Sequence, residues 1–307
     1  MQLKTFVSGI LVVIIVGTLG LAKADEDKFL FPDPFSMDSP VSPMRDGGVD
    51  FRYLYTNEMS AVAFPLVSRV STEARSFFAQ IFLPMVVAIP NGGEAVFGFG
   101  DPRISVLGSW RLDIPFGEDL ELPAAVSAGC DVNIPFSSAW GDLVQVAGAD
   151  ANVSLAANAV GMAMYSENPV GWVPGFFGFN PRGMFAIGPE IFFSEFEISF
   201  PAMIPIRWRS AYNDELFLAW SVVLGSQPLD FISFMAEFSG ITDLVNNAPI
   251  RGSFRRTQMF LTFGSRLTFG NFEMGLMFRL PVSDQWAISG ASDNFIVGLY
   301  VGGSTEN

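Results

Sequence analysis

Between Arg103 and Phe136 the chain alternates side chains with a period of two, twice over, around one short turn. Ile104, Val106, Gly108, Trp110, Leu112 and Ile114 share one face, while Arg103, Ser105, Leu107, Ser109, Arg111 and Asp113 share the other. After Phe116-Gly117-Glu118-Asp119 the alternation resumes, with Leu122, Ala124, Val126, Ala128, Cys130 and Val132 against Glu121, Ser127, Asp131 and Asn133. Successive side chains of an extended strand point to opposite faces, so this period predicts strand. Two such runs around a Gly turn predict an antiparallel hairpin. Both runs exceed the roughly 5–6 residues of an ordinary globular strand. One face carries no charge and the other holds arginine and acid. Such a ribbon suits a half-buried soluble hairpin, or a wall with hydrocarbon on one side and a polar lumen on the other.

Composition narrows the choice. The chain has 307 residues, 50% apolar and only 16% charged, with a mean hydropathy of +0.38. Beyond the first 22 positions no apolar run reaches the roughly 18 residues a spanning helix needs. A membrane chain without spanning helices must be a closed barrel, because every backbone polar group in hydrocarbon has to be paired internally. The 30 glycines and 32 phenylalanines suit turns and a lipid-facing band.

The start, MQLKTFVSGILVVIIVGTLGLAKA, places Lys4 before an apolar run and ends on the small-x-small triplet Ala22-Lys23-Ala24. We read residues 1–24 as a secretory signal peptide cleaved after Ala24; an uncleaved anchor is the other reading of so long an apolar run. Residues 25–48 carry prolines and acids without a usable period, and form an irregular arm. Phe29, Phe31 and Phe35 fit a plug tucked into a lumen, and a loose periplasmic tail able to meet a periplasmic partner is equally compatible.

From residue 49 to 307 we read strands: Val49–Thr56, Ala61–Arg69, Glu73–Ile89, the opening hairpin, Gly141–Gly148, Asn152–Tyr165, Gly183–Ser199, Met203–Tyr212, Glu215–Gly225, Asp230–Phe238, Arg255–Leu267, Asn271–Leu280 and Asn294–Gly302. The expected fold is all-β: a closed antiparallel up-and-down transmembrane β-barrel of 12–14 strands, an even number being the rule for such single-chain barrels. Short turns are expected in the periplasm near residues 117, 201, 226 and 269, and longer loops outside at 90–100, 166–182, 239–252 and 281–293. The loop 166–182 holds Trp172, Phe176, Phe177 and Phe179, which mark an entrance, a loop folded into the mouth, or an interfacial aromatic girdle.

Gly98-Phe-Gly-Asp101 followed by ISVLGSWRL resembles the GxGD-strand signature of the family named for the meta pathway of phenol degradation. Asn133-Ile134-Pro135 is similar to that family's next landmark, with Phe136 where the family has Gly, and the run from Phe260 to Gly303 resembles its last three strands. The likeness spans roughly residues 50–302. It implies an outer-membrane barrel of a Gram-negative bacterium that passes small hydrophobic or aromatic molecules, and it supplies no catalytic residues.

The chemistry that remains is limited. The chain has no histidine and one cysteine, Cys130. That removes Ser-His and Cys-His pairs, a histidine general base, histidine metal sites and any internal disulfide. We expect no enzyme, no cofactor and no metal. With 31 acids against 17 bases and no basic stretch, nucleic acid is not an expected partner; lipid is. Every base after Lys28 is arginine, which suits enclosed pairing with carboxylates. Glu195 and Glu197 lie two apart on one face, with Cβ atoms roughly 6–7 Å apart. That spacing is compatible with a glycosidase pair or a Ca²⁺ site, though ion pairing with Arg207 and Arg209 on the next strand is the favoured reading. Arg103, Arg111, Arg207, Arg209, Arg256, Arg266 and Arg279 should share the interior with Asp113, Glu121, Asp131, Glu195, Glu197, Glu237 and Glu273, because Arg facing lipid at the midplane costs about 2–4 kcal/mol. Inside, those charges either line a wet pore or close it as a salt-bridge network. Channel, plugged structural barrel and soluble exported β-sandwich are the three outcomes left open.

Overall fold

The computed structural model describes residues 47–55, 59–71, 77–116, 121–135, 169–172, 176–189, 191–205, 215–245, 257–270, 272–282 and 295–303. The signal-peptide reading of 1–24, most of the arm 25–48, and the strands expected at Gly141–Gly148 and Asn152–Tyr165 lie outside these residues, as do Arg207, Arg209 and Arg256. Sixteen extended segments are present: β1 (Gly47–Tyr55), β2 (Met59–Ala63), β3 (Leu66–Ser71), β4 (Phe77–Leu83), β5 (Met85–Pro90), β6 (Val96–Phe99), β7 (Arg103–Pro115), β8 (Glu121–Asn133), β9 (Phe176–Ile187), β10 (Phe193–Ser199), β11 (Ala202–Pro205), β12 (Glu215–Leu229), β13 (Ile232–Asp243), β14 (Thr257–Phe269), β15 (Phe272–Pro281) and β16 (Phe295–Gly303).

Four pairs of consecutive segments are single strands with a break. Both β2 and β3 pair with β1, and both β10 and β11 pair with β9 and β12. The β4–β5 pair lies alongside β2–β3 and β6–β7 in the same way. Each break contains proline or sits beside it: Pro65, Pro84, Pro102 and Pro201. Proline has no N–H to give to a ladder, so pairing lapses there. Flanking backbone bonds hold the line, such as Phe64 N–H to Met85 C=O at 2.9 Å, Gly100 N–H to Pro84 C=O at 3.1 Å, and Phe217 N–H to Pro201 C=O at 2.8 Å. Counting each broken pair once gives twelve strands, all paired antiparallel to their neighbours.

The sheet closes on itself: β16 pairs β1 over nine residues, from Gly47 opposite Gly303 to Tyr55 opposite Phe295. The fold is a closed twelve-stranded antiparallel up-and-down barrel, as the alternation predicted. Its near end carries residues 47 and 303 and the links at 72–76, 116–120, 188–192, 230–231 and 270–271; the far end carries the links at 56–58, 91–95, 134–175, 206–214, 244–256 and 282–294.

The alternation decides which side each residue takes. Outward positions of β15 are Phe272, Met274, Leu276, Phe278 and Leu280, and those of β1 include Phe51, Tyr53 and Tyr55. Among the described strands no Asp, Glu, Lys or Arg occupies an outward position. Phenylalanine dominates the exposed large hydrophobics, including Phe185, Phe196, Phe234, Phe238, Phe263 and Phe278. The long strands β7, β8 and β14 have 13 residues each, more than the roughly 9–11 a tilted strand needs to cross a bilayer core. No described helix is long and apolar enough to cross a membrane. Within the described strands the wall carries an uncharged outer belt and turns its charged side chains to the inward face.

Five sequence expectations are corrected here. Gly183–Ser199 is two strands, since the chain turns at 188–192, where Gly188 takes a φ of 125°. The turn expected near 201 is a proline break within one strand. The turn expected near 226 lies at Asp230-Phe231, after a register shift between Ser226 and Leu229. The strand starting at 49 begins at Gly47, and the strand ending at Phe238 runs on to Asp243, into the expected loop.

Candidate functional site

The site is the barrel interior. A closed strand ladder leaves each inward side chain facing other inward side chains, so buried polar groups there have to find partners among themselves. The described arginines do so in a consistent way. Arg182 on β9 reaches Asp131 on β8 (Nε to Oδ1, 3.4 Å) and Glu197 on β10 (Nη1 to Oε1, 3.5 Å). Asn180, one inward step away, donates from Nδ2 to Asp131 Oδ2 at 3.0 Å. Arg279 on β15 donates from Nε to Thr262 Oγ1 at 3.0 Å and lies 3.7 Å from Glu237 Oε1. Toward the near end Arg266 donates to Glu273 Oε1 at 2.6 Å. Arg52 donates to Asp50 Oδ2 at 3.1 Å, and Arg69 to Gln80 Oε1 at 2.8 Å.

Aromatic faces take up several of the same cations. Arg103 stands 4.3 Å over the Phe82 ring, Arg266 5.4 Å over Tyr300, and Arg279 5.5 Å over Phe260. A planar guanidinium can lie flat on a ring and still donate in its own plane to two partners, a geometry an ammonium offers less well. That explains why the interior uses arginine.

Of the residues expected inside, Arg103, Asp131, Glu195, Glu197, Glu237, Arg266, Glu273 and Arg279 are inward and buried. Arg111 is half-buried on the inward face, and Asp113 and Glu121 on the same face are exposed where β7 and β8 end. Glu195 and Glu197 do project from one face, but the partner the structure gives Glu197 is Arg182 on the preceding strand. Arg207 and Arg209, the partners expected for them, and Arg256 lie outside the described residues. The aromatic loop is corrected: Phe176, Phe177 and Phe179 belong to β9. Phe177 and Phe179 face outward, as a girdle would, Phe176 faces inward, and Trp172 is buried within the apolar interior cluster.

The sequence reading missed Arg52, Arg69, Arg182, Asp101, Asn133 and Asn180. Arg182 was hidden by Asn180-Pro181-Arg182-Gly183, whose composition signals a loop. Its period was legible all the same: Phe176, Asn180, Arg182, Met184 and Ala186 fall inward, Phe177, Phe179 and Phe185 outward.

The interior is tightly filled at the charged level. Asp131, Glu237 and Arg279 are each 0% exposed. Eight buried acids face six buried arginines among the described residues, two more negative than positive. No group of three or more His, Cys, Asp or Glu arranged to hold a metal occurs among the described residues. Buried ion pairs gain little over apolar packing of the same volume, so stability alone does not account for so charged an interior.

No protein-family model and no curated protein matches the chain. Among solved structures it is similar to the NanC porin, at 8% identity and a TM-score of 0.48, covering 83% of this chain and 99% of that one. It is similar to LpxR from Salmonella typhimurium at 10% identity and TM-score 0.37, covering 84% and 99%. It is similar to the CymD monoaromatic hydrocarbon channel at 11% identity and TM-score 0.34, covering 96% and 97%. These are outer-membrane-type barrels of similar span, and none is close enough to carry a substrate or an activity across.

Proposed function

We propose that this chain is an outer-membrane channel of a Gram-negative bacterium. In this reading it passively admits small hydrophobic or aromatic molecules through its arginine- and glutamate-lined interior. The observation that carries the channel reading is the division of charge: an uncharged belt outside and a dense set of paired charges within. Enclosed charges that add little to stability fit a path for solute or ions. The choice of hydrophobic or aromatic solutes rests on the GxGD signature and on the closing strands, which resemble the phenol-degradation family. Export through a cleaved signal peptide, a plug or periplasmic contact by residues 25–48, and the absence of enzymatic activity belong to the same reading.

The test is current across a planar lipid bilayer, read beside flux of small aromatic solutes into proteoliposomes. Discrete conductance steps with faster aromatic uptake are the expected result; bilayers as silent as protein-free ones refute it. Glu195 and Glu197, buried on one face of β10, predict that passing cations meet acid on the wall, seen as a reversal potential displaced toward the K⁺ value in a KCl gradient. Glu195→Gln should reduce that displacement, and an anion preference in the wild type would contradict it.

The rival is a structural barrel with a closed lumen. It is favoured by the complete burial of Asp131, Glu237 and Arg279. It predicts no current from the full chain, and none after residues 25–48 are deleted.

A further inference from the structure

The Gly98-Phe-Gly-Asp101 signature sits where the β6–β7 strand breaks. A short 3₁₀ turn, Pro169–Trp172, from the long link between β8 and β9, is fixed against that break. The Asp101 backbone N–H donates to the Gly171 carbonyl. A Cβ on Gly100 would lie 2.2 Å from the Gly171 carbonyl oxygen and 2.6 Å from Pro84 Cγ. A Cβ on Gly171 would lie 2.8 Å from Asn133 Nδ2 and 3.2 Å from the Asp101 carbonyl oxygen. Two backbones meet here at a distance only glycine permits. The turn ends on Trp172, which is 1% exposed and packed into the interior apolar cluster. That cluster includes small side chains, among them Ala61, Ala63, Val86 and Ala88. Beside the turn, the Asn133 amide is wholly buried, and neither its nitrogen nor its oxygen has a hydrogen-bond partner among the described residues.

We propose that the Gly100–Asp101 break is a socket that straps the 169–172 turn across the far end of the lumen, and that Trp172 is the constriction residue that decides what passes. The inference rests on the channel reading. The indole belongs to an apolar cluster of aliphatic, methionine and phenylalanine side chains, and removing it would leave an apolar bay that a planar ring of about its size can fill. The Asn133 amide at the edge of that bay can donate to and accept from a polar substituent on such a ring. Cavities of this kind, lined by aliphatic groups, stay dry and bind flat aromatic molecules.

Two variants separate strap from scaffold. Trp172→Ala empties the bay and leaves the socket; Gly100→Ala blocks the socket and leaves the indole. Heat-modifiable gel mobility shows whether each barrel closes. Both closed variants should conduct at least twofold more than wild type in planar bilayers, and millimolar indole should return Trp172→Ala, and not Gly100→Ala, toward the wild-type value. If the wild type conducts and both closed variants match it, the strap is refuted and the channel stands. If variants conduct and indole leaves Trp172→Ala unchanged, the aromatic bay is refuted. If wild type and both closed variants are silent, the channel reading falls and the strap with it. Should Gly100→Ala fail to close, Gly171→Ala tests the same contact from the other side.

Discussion

Arg182→Met should be among the most damaging single changes to the interior. It removes the cation shared by Asp131 and Glu197, both buried, and leaves two carboxylates facing an uncharged side chain. Breaking a buried pair by removing one partner costs about 3–5 kcal/mol, a large share of the roughly 5–15 kcal/mol of a typical fold. The expected result is a midpoint of urea unfolding well below wild type in detergent or lipid. Adding Asp131→Asn and Glu197→Gln to the same chain should recover most of the loss, because the penalty belongs to the stranded charges and not to the missing contacts. A triple variant no more stable than the single one would show that Arg182 acts through packing. Arg182→Lys should fall between, since an ammonium offers fewer directed donors to two carboxylates on different strands.

The second large effect lies on the other side of the same wall. Leu276 is 54% exposed at the middle of β15, in the uncharged belt. Leu276→Arg places a guanidinium against hydrocarbon at an expected cost of about 2–4 kcal/mol, whereas a charge near the interface costs about 0–1 kcal/mol. Phe272→Arg, at the near end of the same strand, supplies that comparison. Folding titrations into lipid vesicles should therefore show a loss that depends on depth. Equal losses at both positions would mean that the belt is not the surface that meets hydrocarbon.

Much of this was legible before any coordinates. On β7 and β8 the period of two alone assigned every residue to its side, because a charge on the hydrocarbon side is too costly to tolerate. The same rule puts Arg266, Glu273 and Arg279, which are buried, on the inward face even without knowing which strands pair. Breaks and turns were harder to tell apart. Pro201 interrupts a ladder but not a strand, whereas Gly188-Pro189 ends one, and residue type does not distinguish these outcomes; the partner strand does. Arg182 was lost for a related reason: Asn180, Pro181 and Gly183 are loop residues by propensity, yet two paired neighbours held them extended. The inward socket at Gly100 was beyond sequence reasoning altogether, since its partner, Gly171, lies some seventy positions along and meets it only after the wall has closed.

The pairing of β1 with β16 sets the order of events in making this molecule. The first strand waits for the last, so no portion emerging from synthesis has a complete circumference. Until Phe295–Gly303 arrives, two rows of backbone donors and acceptors stand open at once, each an invitation to any other extended polypeptide. Contacts so distant along the chain also form slowly. Whatever covers those two margins until the last strand arrives decides whether they meet each other or something else.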